Sequence, residues 1–358
     1  MQVSTLRWQP DRGWSAPSAP LPADPQLLLV FYADSVETSP ELAEIRARFP
    51  SALVFGCSTA GEIADTRISD DGIVATAVRF EHTTIQSVIR PLDSVPDSRA
   101  LGRTLAMSLP HKGLVHTIVL SDGLLVNGSE LVRGLREALP PNVTATGGLS
   151  GDGARFARTT ILCGGAPVSG QVAIVGLYGD KLNVGYGSQG GWDPFGPERV
   201  VTRSKANVLY ELDGQPALAL YKRYLGDYAK DLPSSALLFP LSLKLDDGSE
   251  VVRSILGVDE ATDSMTFAGD VLEGQQVRLM MANFDRLVDG AVGAARNTQS
   301  DAAVPASPTL ALLVSCVGRK IVLSQRAEDE LEAVRTTLGA APEMVGFYSY
   351  GEISPFSA

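Results

Sequence analysis

Cysteine is scarce in this chain of 358 residues, and its three cysteines, at positions 57, 163 and 316, lie far apart. An odd number of widely spaced cysteines, without a Cys-x-x-Cys pair, supports neither a disulfide framework nor a zinc site. Such usage is typical of a reducing compartment, so we expect a cytoplasmic protein. The first residues also lack a basic region followed by an apolar run, which argues against a signal peptide.

Long hydrophobic runs and an excess of positive charge are missing as well. The longest apolar stretches, such as residues 27–33 and 310–314, are strand-sized and too short to span a bilayer. The formal net charge is −11, and an acidic chain repels nucleic-acid phosphates. We therefore expect neither membrane insertion nor nucleic-acid binding. The length of the chain predicts two domains rather than one core.

The chain contains a strand–helix–strand order of elements three times. In each unit an apolar run predicts a buried strand, an amphipathic segment predicts a helix, and further apolar residues predict a second strand. The predicted strands include residues 27–32, 52–55, 117–120, 143–146 and 310–314. Units of this kind are typical of βαβ crossovers, so we predict an α/β protein of two domains, built from repeated units with additional strands.

Each unit ends in a turn where glycine precedes an acid, and the three acids are Glu62, Asp152 and Glu352. We expect the three turns to be equivalent, with glycines at 61, 151 and 351 in conformations that a Cβ opposes. The carboxylates would then project at one edge of their sheets, where α/β proteins usually hold ligands. The alternative, of equal weight, is that each carboxylate only accepts N–H bonds of its own turn.

Changes in composition divide the chain into three parts. Residues 1–25, rich in Pro, Ala and Ser towards their end, are predicted to be a loosely ordered lead-in. Residues 26–215 are predicted to be a first domain with an internal duplication, and residues 216–358 a second domain. The polar residues 295–308 are expected to be a loop inside the second domain.

Two segments resemble sites of catalysis or nucleotide binding without meeting their requirements. Residues 56–61 contain Ser58, but a hydrolase elbow needs Gly-x-Ser-x-Gly, and here the second glycine comes one residue late. No motif brings a histidine to it as a base, so we expect no enzymatic activity. Residues 147–153 resemble a phosphate cradle, but a strand is predicted after them where a cradle needs a helix.

Histidine is equally rare, and the three residues are His82, His111 and His116. His82 follows a predicted strand and is a candidate haem ligand, although an exposed turn position is the favoured interpretation. The other two flank a turn and are expected to be solvated. We therefore expect no cofactor and no metal, with haem as the one open alternative.

Several motifs in a fixed order resemble the FIST family, whose members combine an N-terminal and a C-terminal FIST domain. In the first half, residues 56–63 (GCSTAGEI), 147–153 (GGLSGDG) and 210–217 (YELDGQPA) are similar to the N-terminal domain. In the second half, residues 315–319 (SCVGR) and 346–353 (GFYSYGEI) are similar to the C-terminal domain. The resemblance covers nearly the whole chain from about residue 25.

The resemblance implies an intracellular signal-transduction protein, of a mostly bacterial family, that senses a small ligand such as an amino acid. It also implies a separate signalling partner, for which a histidine kinase or a cyclic-dinucleotide enzyme is the expected kind. A protein-interaction scaffold without ligand and a haem-based nitric oxide sensor remain alternatives. Family members continue past the final Gly-Glu-Ile with a strand carrying a His-Asn-Gln-Thr-like motif, and in this sequence either the end is truncated or that last strand is absent.

The predicted ligand site combines hydroxyl, acidic and cationic groups near the turns. Its residues are Ser58, Thr59, Glu62, Asp152, Arg319, Tyr348, Tyr350 and Glu352. We expect the best pocket near the first or the last turn, because convergent carboxylates and hydroxyls suit a polar, amine-bearing ligand. The planar guanidinium of Arg319 is suited to a ligand carboxylate, and pairing with a neighbouring acid is at least as well supported.

Overall fold

A computed structural model of the chain describes residues 1–232, 234–245, 250–267, 269–299 and 309–355. These residues form a mixed α/β structure, as predicted. Among the described helices, none has the length and apolar character that crossing a bilayer requires.

The helices are short and surround several sheets. The α-helices are α1 (Pro40–Arg48), α2 (Ser98–Ser108), α3 (Gly128–Ala138), α4 (Ala217–Leu225), α5 (Phe284–Asn297), α6 (Val317–Leu323) and α7 (Ala327–Leu338). Short 3₁₀ helices lie at Asp34–Val36, Leu92–Ser94, Gly226–Asp231, Ser234–Leu238 and Ser324–Arg326.

The strands of the first half, in chain order, are β1 (Gln2–Gln9), β2 (Gly13–Trp14), β3 (Leu27–Tyr32), β4 (Leu53–Ser58), β5 (Glu62–Ala64), β6 (Arg67–Ser69), β7 (Ile73–Arg79), β8 (Thr84–Pro91), β9 (Leu114–Ser121), β10 (Thr144–Leu149), β11 (Ile161–Cys163) and β12 (Gln171–Tyr178). Those of the second half are β13 (Trp192–Lys205), β14 (Val208–Leu212), β15 (Gln215–Pro216), β16 (Leu241–Lys244), β17 (Glu250–Arg253), β18 (Ile255–Asp259), β19 (Ser264–Phe267), β20 (Gln276–Ala282), β21 (Leu310–Cys316), β22 (Glu343–Ser349) and β23 (Gly351–Ile353).

Three parallel strand pairs with crossover helices confirm the three predicted units. Unit 1 pairs β3 with β4 through α1, unit 2 pairs β9 with β10 through α3, and unit 3 pairs β21 with β22 through α6 and α7. Ser39 caps α1 as predicted, because its hydroxyl accepts the N–H of Leu42. All five strands predicted from the sequence lie within these pairs or one residue from them.

The three units are closed into a ring by an exchange of short strands. β5, which follows unit 1, pairs with β22 of unit 3, and β23, which follows unit 3, pairs with β10 of unit 2. β11, which follows unit 2, pairs with β4 of unit 1. All three pairings are antiparallel and the exchange is cyclic, so each unit is held by both of the others. We call this assembly of units and exchanged strands the ring.

Each unit has a glycine at the same position of its second strand. That strand lies between the first strand of the unit and an exchanged strand from another unit. Gly56, Gly147 and Gly346 lie opposite residues 30, 119 and 313 of their parallel neighbours. A Cβ at any of the three would lie 1.8 Å from the carbonyl oxygen of that opposite residue. Only glycine allows the two backbones to approach in this way.

The centre of the ring is an apolar core to which all three units contribute. It contains Leu29 and Phe31 of unit 1, Leu120 of unit 2, Val175 of β12 and Phe347 of unit 3. The rings of Phe31 and Phe347 stack with centroids 4.8 Å apart. Helices cover the outer faces, since the intervening residues of β3 pack with α1, and those of β22 pack with α5 and α7. Burial of both faces explains the continuous apolar runs.

An antiparallel strand covers the outer edge of the first strand in two of the units. β7 pairs with β3, and β12 pairs with β9. Among the residues that the structure describes, none pairs with the outer edge of β21, whose side chains are only half-buried. The prediction of a missing last strand concerns residues beyond 355, which lie outside the described part of the chain.

A second, antiparallel sheet is inserted between unit 2 and unit 3. It consists of strands β13–β20 with α4 packed against it, and its core includes Leu209, Leu218, Leu243 and Phe267. We call it the inserted sheet. The predicted domain boundary lies near residue 215, and strands before and after it pair with each other. In the inserted sheet β14 pairs with β15, and in the ring β5 pairs with β22.

Three expectations about local order are corrected by the structure. The lead-in is not loosely ordered over residues 2–9, because β1 pairs with β7 over seven residues and buries Ser4 and Thr5, and the Thr5 hydroxyl is hydrogen-bonded to that of Thr76. His116 is buried rather than solvated. Residues 295–297 end α5 instead of starting a loop, and residues 300–308 lie outside the described chain.

The ring glycines give a direct test of the fold. We expect Gly56→Ala and Gly346→Ala each to lower the free energy of unfolding by about 3 kcal/mol or more, since a methyl group would collide with backbone that cannot move away. Gly257→Ala, in β18, is the control, because a Cβ there has no neighbour within 4 Å. Urea unfolding measures all three, and equal stability of the three variants would contradict the ring.

Candidate functional site

The polar side chains of the first turn are buried, and its acid is hydrogen-bonded to nearby groups. Ser58, Thr59 and Glu62 are buried. The Glu62 carboxylate accepts hydrogen bonds from the hydroxyl of Thr59 (2.6 Å), the hydroxyl of Ser69 (3.0 Å) and the N–H of Gly72 (3.2 Å). Burial nevertheless raises the pKa of Glu62 to about 8, against the effect of these donors. This carboxylate therefore holds its own turn together and faces no solvent.

The second turn has a different structure, so the expected equivalence of all three turns is wrong for Asp152. Its carboxylate accepts the N–H groups of Phe156, Ala157 and Arg158 and the hydroxyl of Tyr350. The exchanged strand of unit 2 begins only at residue 161, after a loop, and carries no acid at the matching place. Asp152 thus organises this loop, as the structural alternative proposed.

The third turn is equivalent to the first. Glu62 and Glu352 each pair with the residue that follows a ring glycine, Phe347 and Gly148 respectively. In both turns a hydroxyl three residues earlier donates to the acid, since Ser349 Oγ lies 2.9 Å from Glu352 Oε1. The expected glycine strain holds at position 61, where φ is +137°, and is wrong at 351, where a Cβ has no neighbour within 3.4 Å.

Environment distinguishes the two equivalent acids. Glu62 is 1% exposed and has three donors, whereas Glu352 is exposed. Within the described chain, Ser349 provides the single side-chain hydrogen bond to Glu352. The same motif is therefore a closed structural element in unit 1 and an open carboxylate in unit 3.

The open carboxylate lies where the ring meets the inserted sheet. The seam cleft is our name for the six residues at this junction, which are Ser129, Arg253, Ser254, Cys316, Ser349 and Glu352. Arg253 Nη2 donates to Ser129 Oγ at 3.1 Å, and Ser254 Oγ lies 4.0 Å from Cys316 Sγ. The cleft thus joins the start of α3, the end of β17 and the carboxyl ends of the parallel strands β21 and β22, an edge that commonly holds ligands.

Charges of both signs act in the seam cleft. Glu352 is an exposed residue, but the groups around its carboxyl desolvate it and raise its pKa, and the Ser349 bond and the charge of Arg319 oppose that shift. Burial lowers the pKa of Arg253, and the negative charges of Asp270 and Glu352 oppose it. Burial, assisted by Glu352, raises the pKa of Cys316 to about 11, so this thiol is protonated at neutral pH.

The remaining predicted residues of the third unit are engaged elsewhere. Arg319 is buried, pairs with Glu330 at 3.3 Å and also donates to the carbonyl of Leu287, so its pairing with a neighbouring acid is the interpretation that the structure supports. Tyr350 is bonded to Asp152. Tyr348 is completely buried, and its hydroxyl has no hydrogen-bond partner within the described part of the chain.

Arg253 and Ser254 were missed by sequence reasoning. They lie on the inserted sheet, about a hundred residues from Glu352 in sequence, and no local motif marks them. The pairing of β23 with β10 places Glu352 in unit 2, whose Ser129 accepts a hydrogen bond from Arg253. A long-range contact of this kind leaves no periodic signal in the sequence.

The three histidines lie in different environments. Both ring nitrogens of His116 are bonded to hydroxyls, those of Thr144 (2.7 Å) and Thr146 (2.9 Å), and burial lowers its pKa to about 4. His111 Nε2 is bonded to the carbonyl of Ala106. His82 is exposed on a turn, which is the position favoured from the sequence.

A narrow apolar slot in the inserted sheet is a separate cavity. Its lining includes Phe195, Tyr221, Tyr224 and Leu279, and Arg199 is the one charged residue among the described residues that line it. The guanidinium of Arg199 is bonded to Asp213 and to the Tyr224 hydroxyl. None of the predicted site residues lines this slot, so it does not compete with the seam cleft as the place for a polar ligand.

Comparisons with known proteins agree with the motifs. A family model described as the FIST N domain matches residues 26–215, and one described as the FIST C domain matches residues 217–355. An uncharacterized protein of Methanocaldococcus jannaschii is 25% identical over 234 residues, 58% of this chain and 44% of that protein. The chain thus spans less than half the length of this relative.

One solved structure has a weak likeness to the chain. A crystal structure of a chorismatase aligns over 99% of this chain and 100% of its own, with 11% sequence identity and a TM-score of 0.35. A likeness of this size carries no argument about activity.

Glu62 gives a prediction about pH. Folded Glu62 keeps its proton up to about pH 8, whereas an ordinary glutamate loses it near 4.5, so the folded state binds more protons between these values. The free energy of unfolding must then fall as pH rises through this window. We expect Glu62→Gln to flatten this slope and the exposed Glu332→Gln to leave it unchanged, in urea unfolding at about pH 5 and about pH 7.5. An unchanged slope in Glu62→Gln would show that Glu62 is ionised.

Two buried tyrosines allow a comparison of how a buried hydroxyl group affects stability with and without a hydrogen bond. The hydroxyl of Tyr32 lies 2.9 Å from that of Thr160, whereas the hydroxyl of Tyr348 has no hydrogen-bond partner among the residues that the structure describes. Tyr32→Phe should therefore lower the free energy of unfolding by about 1 kcal/mol, and Tyr348→Phe should leave it unchanged or raise it. Urea unfolding of both variants measures the difference, and a larger loss in Tyr348→Phe would contradict the prediction.

Proposed function

Since this chain belongs to the FIST family, whose domains are associated with sensory roles in signal transduction, we propose that it is a non-catalytic sensor of a small polar ligand. The ligand carries an amine, binds in the seam cleft at Glu352, and alters how the protein engages a separate signalling partner. A histidine kinase or a cyclic-dinucleotide enzyme is the kind of partner that the family resemblance favours.

One observation carries this proposal, namely the contrast between two acids that occupy the same place in equivalent turns. Glu62 is buried with three donors, and Glu352 is exposed with a single side-chain donor in the described chain. If the motif served only to hold a turn, both copies would be closed. An open copy at the carboxyl edge of parallel strands is where a ligand amine finds an acceptor.

The position of the seam cleft supports a signalling role. A ligand there contacts unit 3 through Glu352 and Ser349, and the inserted sheet through Ser254, so its binding energy depends on how the ring and the inserted sheet meet. A ligand shifts a conformational equilibrium by its difference in affinity for the two states. Binding in the cleft therefore favours one arrangement of the seam, which a partner protein can recognise.

The same geometry gives no support to catalysis. Ser58 is completely buried, and its hydroxyl accepts the N–H of Thr160. The raised pKa of Cys316 keeps its thiol protonated, and only the thiolate is nucleophilic. Neither side chain has a histidine among its hydrogen-bond partners in the described chain. We therefore propose a binding function and no covalent step.

The proposal is tested by thermal unfolding with a panel of amino acids. A ligand that binds only the folded state stabilises it by about 2.7 kcal/mol at a concentration one hundred times its dissociation constant. We expect a ligand of the panel to raise the melting temperature of the wild type. This rise should be lost in Glu352→Gln and retained in Glu62→Gln. The comparison concerns the rise caused by ligand, because Glu62→Gln also changes the starting stability.

Two outcomes would contradict the proposal in different ways. A panel without effect on the wild type would favour the alternative of an interaction scaffold without ligand. A rise that survives in Glu352→Gln would show that a ligand binds elsewhere on the protein.

A further inference from the structure

We infer that the apolar slot of the inserted sheet is a second binding site, which takes a small neutral molecule with an apolar body and one oxygen atom. The oxygen accepts a hydrogen bond from Arg199 at the mouth of the slot. The described residues that line the slot include none of the seam cleft. The inference therefore goes beyond the proposed function and holds whether or not the cleft binds a ligand.

The interior of the slot lies between α4 and the strands of the inserted sheet. Leu220 and Tyr221 of α4 line one side. On the other side the sheet contributes Leu212, Met265 and Val277. All five side chains are buried. An apolar cavity of this kind stays free of water, so an apolar molecule that enters it displaces no solvent that was well bound.

The mouth of the slot lies where the pairing of β13 with β20 is irregular. Between Pro194 and Glu198 the register shifts, so that three residues of β13 lie opposite one residue of β20. Two of these three, Phe195 and Pro197, line the slot. A bulge leaves its extra residues outside the ladder of hydrogen bonds, so this segment moves at a lower cost than a regular strand would.

Movement at the mouth is needed because the enclosed part of the slot is small. Its volume is about 20 Å³, which is room for about one water molecule. A larger molecule enters only if the bulged segment and the side of α4 that faces it separate. Tyr224 of α4 is half-buried at this place and is hydrogen-bonded to Arg199, so these two side chains hold the mouth closed.

Aromatic rings surround the mouth, although aromatic residues make up only 6% of the chain. The rings of Phe195 and Tyr224 meet edge to face with centroids 6.5 Å apart, and Phe195 lies 6.2 Å from Phe239. Tyr228, which is 53% exposed, lies 5.3 Å from Phe239 on the solvent side. Rings at the entrance of an apolar cavity favour a ligand whose body is itself a ring.

Arg199 supplies the polar contact at the mouth. Its guanidinium pairs with Asp213 at 2.9 Å and donates to the Tyr224 hydroxyl. Its Nε is buried and has no hydrogen-bond partner among the described residues. A buried donor without a partner is costly, and an oxygen of the ligand removes that cost. Since Asp213 already neutralises the guanidinium, this oxygen belongs to a neutral group rather than to a carboxylate.

The test uses two probes of the same shape and the full chain with isotope-labelled methionine methyl groups. Acetophenone has a carbonyl oxygen, and isopropylbenzene has a methyl group in its place. The ring current of a bound probe shifts the methyl resonance of Met265, which lines the slot. Met107 of α2 and Met344 of β22 lie outside the inserted sheet and are the reference signals. Titration followed at Met265 gives the affinity of each probe.

We expect both probes to shift the Met265 signal of the wild type. Arg199→Lys should lower the affinity for acetophenone relative to isopropylbenzene by about tenfold, because Lys keeps a charge for Asp213 but lacks the Nε donor. Arg203→Lys is the matched control and should leave this ratio unchanged. Arg203 lies on the same strand and pairs with Glu211, and neither lines the slot.

A second variant fills the slot. Val277→Ile adds one methylene group where the enclosed volume has room for it. It should weaken the binding of both probes by about tenfold or more, and leave the stability of the protein unchanged or higher. Val200→Ile, at an exposed position of β13, is the control and should bind both probes as the wild type does. If one of the variants Arg199→Lys and Val277→Ile does not fold, the other still decides.

Four results would overturn the inference. If neither probe shifts Met265 up to its limit of solubility, the slot is not a binding site. Unchanged affinity in Val277→Ile would place the probes elsewhere on the protein. An equal ratio of affinities in Arg199→Lys and the wild type would remove the role of Arg199. Tighter binding of benzoate than of acetophenone would show that the site takes an anion instead of a neutral molecule.

Discussion

The close approach of backbones at three glycines is the constraint on which the rest of the structure depends. At Gly56, Gly147 and Gly346, the second strand of a unit lies between its first strand and the strand received from another unit, with no space for a side chain. A side chain there would separate the first and second strands. The exchanged strands would then lose their register, and the shared core around Phe31 and Phe347 would open.

Closure of the ring also determines where the candidate site lies. The exchange carries β23 from unit 3 to unit 2, and this brings Glu352 beside the inserted sheet that the chain forms between those units. The equivalent exchange of β5 carries Glu62 beneath its own following strand, where Ser69 and Gly72 enclose it. The same motif is therefore buried in unit 1 and exposed in unit 3. The residues packed against each copy, rather than the sequence of the motif, determine which copy faces solvent.

Local patterns predicted much of the fold and less of the site. The buried strands, the Ser39 cap and the units were predictable because apolar periodicity and capping act within a few residues. The pairing of β1 with β7, the burial of His116 and the position of Arg253 were not, since each depends on a partner far along the chain. The spacing of the acids predicted two equivalent turns correctly, and it failed at Asp152 because a loop delays the exchanged strand there.

We propose that a ligand binds where Glu352 of the ring lies beside the inserted sheet, and not at the buried equivalent, Glu62, in unit 1. Hydrogen exchange read by mass spectrometry, with and without a saturating amino-acid mixture, tests this place directly, because binding slows exchange where it suppresses local opening. We expect slower exchange in peptides covering residues 250–254 and 349–353, with no change over residues 59–64. Slower exchange over residues 59–64 alone would contradict it.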